Sequence, residues 1–139
     1  MKTKNRNLPH SFNKIWTHAI WTTKERVSLI DPGFEQNLYY FMREEFKEIG
    51  CPVRIINGMP DHVRCLFLLN PQKSIAEVIK QIKGSSSHYI NQNDFILEKF
   101  AWQTGYAAYS VSESMLDQVV SYIKNQKKTS FQKEISTRV

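Results

Sequence analysis

Along the chain the hydrophobic positions alternate between a period of two and a helical period. "KIWTHAIWTT" (14–23) alternates and predicts a first strand, with Trp16, His18 and Ile20 on one face and Thr17, Ala19 and Trp21 on the other. "DPG" at 31–33 reads as a turn. "FEQNLYYFMREEFKEIG" then predicts a helix with a stripe of Leu38, Phe41, Met42, Glu45 and Phe46, stopped at Gly50. "CPVRIINGMPDHVRCLFLL" predicts two strands, about 52–57 and 62–69, joined through "GMPD" as a hairpin. In "KSIAEVIKQIKGSSSHYIN" Ser74 and Glu77 have the spacing of a capping box, and Ile75, Val78, Ile79 and Ile82 form the buried stripe of a second helix. "WQTGYAAYSV" (102–111) predicts the last strand. A third helix, "SESMLDQVVSYIKNQKK", follows it. Ser110 or Ser112 would cap that helix, and Met115, Val119 and Tyr122 share one stripe of it.

Strand, helix, strand, strand, helix, strand is the ferredoxin-like βαββαβ order of an α+β fold. It packs two helices on one face of a four-stranded antiparallel sheet. The other face is left for a ligand or for the third helix. A chain of 139 residues suits one such domain, expected over 14–128, with a flexible basic segment at 1–13 and a tail at 129–139.

Composition narrows the class. Charged residues are 23% and hydrophobic ones 41%, a soluble balance, and no run approaches the ~18 apolar residues of a membrane span. The basic start "MKTKNRNLPH" has no apolar segment behind it, so it does not read as a secretory signal. Cys51 and Cys65 alone make neither a disulfide framework nor a zinc site, and reduced cysteines in a cytoplasmic protein are expected. Lysine and arginine number 19 against 13 acids, a net charge of +6, which favours polyanionic partners.

The stretch "PDHVRCLFLLNP" (60–71) carries the candidate chemistry. Val63, Cys65, Phe67 and Leu69 share the uniformly apolar face that helices cover, so His62 and Arg64 point to the open face. A solvated strand end and a ligand site both fit that placement. In the third helix Tyr122 and Gln126 lie one turn apart on one face.

Taken in order, "GMPDHVRCLFLL", "IKGSSSHYIN", "WQTGYAAYSVSES" and "YIKNQ" resemble the single-tyrosine transposases of the HUH endonuclease superfamily, among them the REP-associated tyrosine transposases. The resemblance runs from about Ile15 to Gln126, and "SFQKE" at 130–134 fits the family's tail. It implies single-stranded or hairpin DNA as partner, a homodimer, no nucleotide cofactor, and strand cleavage and rejoining through a 5′-phosphotyrosine intermediate. Tyr122 matches the nucleophile. The family's metal-binding strand motif is His, hydrophobic, His. His62 and Val63 match its first two positions, Gln126 matches a further ligand one turn after the tyrosine, and magnesium or manganese is the implied metal.

Arg64 departs from the motif, because a guanidinium has no lone pair to give a metal. The substitution leaves three outcomes open. Arg64 can fork onto phosphate oxygens and replace part of the metal's charge, it can only hold DNA, or it can mark a noncatalytic single-stranded DNA-binding descendant. Lys80, Lys83, Lys124 and Lys127, with Lys128, are further candidates for phosphate contacts. Trp16, Trp21, Trp102, Tyr106 and Tyr109 are candidates for base stacking or for the core. Asp61 adjoins His62 and could supply an oxygen ligand, although alternation tends to turn it away, and His18 and His88 show no partner in sequence.

Overall fold

The computed structural model describes residues 13–127. All but the last residue of the segment expected at 1–13, together with Lys128 and the tail at 129–139, lies outside the described residues. The elements run β1 (Trp16–Thr22), α1 (Pro32–Glu48), β2 (Val53–Met59), β3 (His62–Leu68), α2 (Ile75–Gln92), β4 (Ala107–Val111) and α3 (Leu116–Lys124). Single 3₁₀ turns sit at Lys24–Arg26 and Glu113–Met115. The sheet is antiparallel throughout, in the order β2-β3-β1-β4, which is the α+β, ferredoxin-like arrangement.

Strand parity divides the molecule into two cores. Ala19, Trp21, Val63, Cys65 and Phe67 face α1 and α2, packing on Leu38, Met42, Phe46, Val78, Ile79 and Ile82. Trp16 and Leu66 face the other way and meet Leu116 and Ile123 of α3. The third helix therefore lies on the otherwise open sheet face, the face that carries His62 and Arg64. Both cysteines are buried and free. Among the described residues no helix is long and apolar enough to cross a membrane.

Local chemistry explains the boundaries. Asp31 caps α1 by accepting from the Gly33 amide, with Pro32 in the first helical turn, so "DPG" opens the helix instead of preceding it. The capping box of Ser74 and Glu77 is formed in both directions. Neither Ser110 nor Ser112 caps α3. Ser110 stays in β4, and Ser112 precedes a 3₁₀ turn without a side-chain cap bond. That turn uses up 113–115, so the buried stripe of α3 is Leu116 and Ile123 flanked by Val119 and Val120, not Met115 and Tyr122. The last strand is shorter than expected. Trp102 makes only an isolated bridge to Thr23, and Gly105 at φ 97 interrupts the extended run.

Candidate active site

The site begins at the β2–β3 hairpin, whose turn is Pro60–Asp61 because Met59 pairs directly with His62. The strands approach closely there: a Cβ on Gly58 would stand 2.2 Å from the His62 carbonyl oxygen. The tip is strapped from outside. The Thr23 amide donates to the Asp61 carbonyl at 2.9 Å and the Ile30 amide to that of Pro60 at 2.9 Å. The Arg26 guanidinium pairs with Asp61 Oδ2 at 3.1 Å.

This strapping fixes the first imidazole. Asp61 Oδ1 lies 2.9 Å from His62 Nδ1. A carboxylate only accepts, so Nδ1 carries the hydrogen and the neutral ring keeps its lone pair on Nε2. His62 is only 9% exposed, and among the described residues Nε2 has no hydrogen-bonding partner. Burial presses the His62 pKa below its usual value, Asp61 opposes this in part, and the charges of Arg64 and Arg26 add to the depression. Burial works to raise the Asp61 pKa, but its bonds to His62 and Arg26 prevail and hold it below the carboxylate range. Asp61 is thus turned toward His62 as an orienting group, a role its place in the turn concealed.

Two residues along β3, Arg64 stands beside Asn57 of β2 and Ile20 of β1. Its guanidinium covers the Tyr122 ring at 5.1 Å from the centroid. On its other side Arg64 Nη1 is 3.4 Å from His18 Nε2. Guanidinium only donates, so His18 is the acceptor and is neutral. Burial first and the Arg64 charge second lower the His18 pKa to about 4. His18 in turn pairs across the sheet with Tyr109, whose ring centroid is 6.3 Å away. Tyr109, His18, Arg64 and Tyr122 form a row across the sheet face. Tyr122 is 45% exposed and Tyr109 60%, so the row opens to solvent at both ends.

The end of α3 is pinned to this face. Asn57 Nδ2 donates to the carbonyls of Ile123 at 3.0 Å and Lys124 at 3.2 Å, satisfying oxygens that the helix leaves over. The helix ends at Lys124 with Asn125 as its C-cap, so Gln126 lies just beyond it, where it is buried. Lys127 Nζ ion-pairs with the buried Glu35 and donates to Asn57 Oδ1 at 3.0 Å and the Gly58 carbonyl at 2.8 Å. Glu35 also accepts from the Tyr39 hydroxyl at 2.7 Å. Burial first, and Glu35 second, push the Tyr39 phenol far above its usual range, which leaves it protonated.

A divalent cation fits this donor set poorly. His62 Nε2 offers one nitrogen lone pair and the buried Gln126 a neutral amide oxygen, whereas Arg64 offers none and the His18 lone pair is turned to Arg64. Among the described residues no three His, Cys, Asp or Glu side chains are placed to hold a metal. At about 4 Å and an effective dielectric near 20, a guanidinium repels a divalent ion by about 8 kcal/mol.

The other predicted contacts separate by layer. Lys124 is exposed on α3, whereas Lys80 and Lys83 are on α2, along a groove of 560 Å³ shared with Lys99, Trp102 and Tyr106. Lys83 is spent inside the protein, its ammonium donating to the carbonyls of Gln103 at 2.7 Å and Gly105 at 2.8 Å. Lys127 is spent likewise on Glu35. Of the candidate stacking residues, Trp16 and Trp21 are core, Trp102 packs on Trp21 with its Nε1 bonded to Ser86, and Tyr106 and Tyr109 are exposed. His88 lies on α2 within 3.3 Å of Gln92 Nε2. Asn57 and Glu35 carried no signal in the sequence, while His18 stood there without a partner and Asp61 as turned away from the site. Strand parity could have revealed His18, which shares its face with Arg64 on the neighbouring strand.

The fold and the sequence are shared with known proteins. ISDra2 transposase TnpA of Deinococcus radiodurans is 28% identical over 114 residues, spanning 78% of this chain and 81% of that one. A crystal structure of a Deinococcus radiodurans protein described as a transposase superposes with a TM-score of 0.65 at 26% identity, covering 86% of this chain and 96% of the other. A REP-associated tyrosine transposase, solved bound to a REP hairpin, shares the fold with a TM-score of 0.62 at 15% identity, over 89% of this chain and 73% of that one. Residues 11–126 match the family described as "Transposase IS200 like", and the chain belongs to that family.

Proposed function

We propose that this protein binds single-stranded or hairpin DNA and exchanges DNA strands through a covalent ester on Tyr122, working as a homodimer. The observation that carries the reading is the Tyr122 ring seated on Arg64, on the sheet face that also presents His62. Tyr122 Oη forms a bond to phosphorus as the bond from phosphorus to the 3′ oxygen breaks. The phenol proton leaves to solvent, and the departing 3′ oxygen takes one up. Because the ester keeps the energy of the phosphodiester, the 3′ hydroxyl of another strand can reverse the step without a nucleotide cofactor. Arg64 sits where charge-assisted bonds can hold the scissile phosphate for in-line attack. The α3 helix rests here on its own chain's sheet, clamped by Asn57.

A second reading, a noncatalytic DNA-binding descendant, is favoured by Arg64 standing in the place of a metal ligand. One experiment separates the two. A 3′-labelled single-stranded hairpin is incubated with the protein, with and without manganese, and run on a denaturing gel. Strand exchange predicts a protein-linked band absent from Tyr122→Phe. Salt-sensitive binding without a band leaves only the second reading, and no binding at low salt rejects both.

A further inference from the structure

We infer that the Arg64 site is a phosphate site that works without a divalent metal, the guanidinium standing where the fold family places a metal ligand. This rests on the reading that the ligand is DNA, but it holds whether or not Tyr122 forms an ester. Arg64 Nε is buried and, among the described residues, donates to nothing. Its Nη1 has only the long 3.4 Å contact to His18. No carboxylate among the described residues pairs with it, although Arg26, Arg54, Lys14 and Lys127 all have acidic partners. A half-buried guanidinium ordinarily finds a carboxylate, because an unpaired buried charge is costly. Here aromatic and imidazole groups enclose it instead. Tyr122 lies against the guanidinium, and His18 is in its neutral form. The Nε–H donor is left unmet beside the 9% exposed His62. A phosphodiester brings paired non-bridging oxygens that match the fork of such a donor. A divalent ion would meet the same fork as a repelling charge.

The test uses the full chain and side-chain NMR of Arg64 and His62, titrated separately with inorganic phosphate and with manganese ion. Phosphate is expected to shift the Arg64 Nε–H resonance saturably, while manganese leaves the His62 ring resonances as sharp as those of His88. In Arg64→Gln, and in the other Arg64 variants, phosphate binding is followed instead at the His18 and His62 ring resonances, and in Arg64→Gln it weakens about tenfold or more. In Arg64→His it weakens likewise, and manganese now broadens His62 selectively. Arg64→Lys guards against misfolding: it keeps the charge without the fork and should bind phosphate more weakly than wild type while still excluding manganese. Selective broadening of His62 by manganese in the wild type, or no phosphate shift at Arg64, overturns the inference. Tyr122→Phe should keep both wild-type responses while losing the DNA adduct. An adduct seen only with manganese, together with broadening of His62, would sink this inference and leave strand exchange standing. A phosphate response without any adduct would do the reverse.

Discussion

The Arg64 guanidinium and the Tyr122 ring are 5.1 Å apart across the junction between β3 and α3. A cation–π contact at a half-exposed position contributes about 0.5–1 kcal/mol. It uses the face of the ring and leaves the hydroxyl to other work. Tyr122→Phe should therefore keep stability within about 0.5 kcal/mol of wild type in urea unfolding and keep hairpin binding, while the adduct disappears.

Glu35 is buried, and Lys127 reaches it from the segment just after the tyrosine helix. Lys127→Ala leaves the carboxylate buried opposite only the Tyr39 hydroxyl. Because the lysine is itself partly exposed, the cost should be about 1–3 kcal/mol, less than for a fully buried pair. Adding Glu35→Gln should recover part of it, and a double-mutant cycle in urea measures the coupling. Adduct formation should fall with Lys127→Ala, since the end of α3 loses an anchor.

His18 gives the stability a pH dependence of known sign. Folded, it takes up a proton only near 4, and unfolded near 6.5. Between those values the unfolded chain binds more protons, so stability falls as the pH drops through the window. His62, also depressed, adds in the same direction. Urea midpoints at neutral pH and near about pH 5 should differ, and His18→Gln should flatten the difference. An Arg64→Met change should raise the His18 pKa only partway, because burial is its larger cause.

The lysines should divide by their partners. The ammonium groups of Lys80 and Lys124 make no bonds among the described residues, so replacing either with alanine should lower the salt slope of single-strand binding by about 0.7. Lys83 is bonded to the carbonyls of Gln103 and Gly105, so Lys83→Ala should lower the melting temperature and leave the salt slope unchanged.

Much of this was legible in the sequence because it depends on local period. Alternation placed His62 and Arg64 on the face opposite Val63, Cys65 and Phe67, and the spacing of Ser74 and Glu77 marked the start of α2. The partners of those residues were less visible. His18 meets Arg64 only because β1 lies between β3 and β4, a fact of topology, not of spacing. Glu35 carried no signal of its own, since its partner Lys127 is 92 residues away. The buried stripe of α3 was not legible because Met115 and Tyr122 are as regularly spaced as Leu116 and Ile123. A 3₁₀ turn, invisible to periodicity, decided between them.

The most direct test is mass spectrometry of the protein after reaction with a single-stranded hairpin and digestion of both protein and DNA. The expected product is a nucleotide joined through its 5′ phosphate to the peptide bearing Tyr122, and to no other tyrosine peptide. A phosphonucleotide on Tyr106 or Tyr109, or an unmodified Tyr122 in a reaction where strands have been cut, would contradict it.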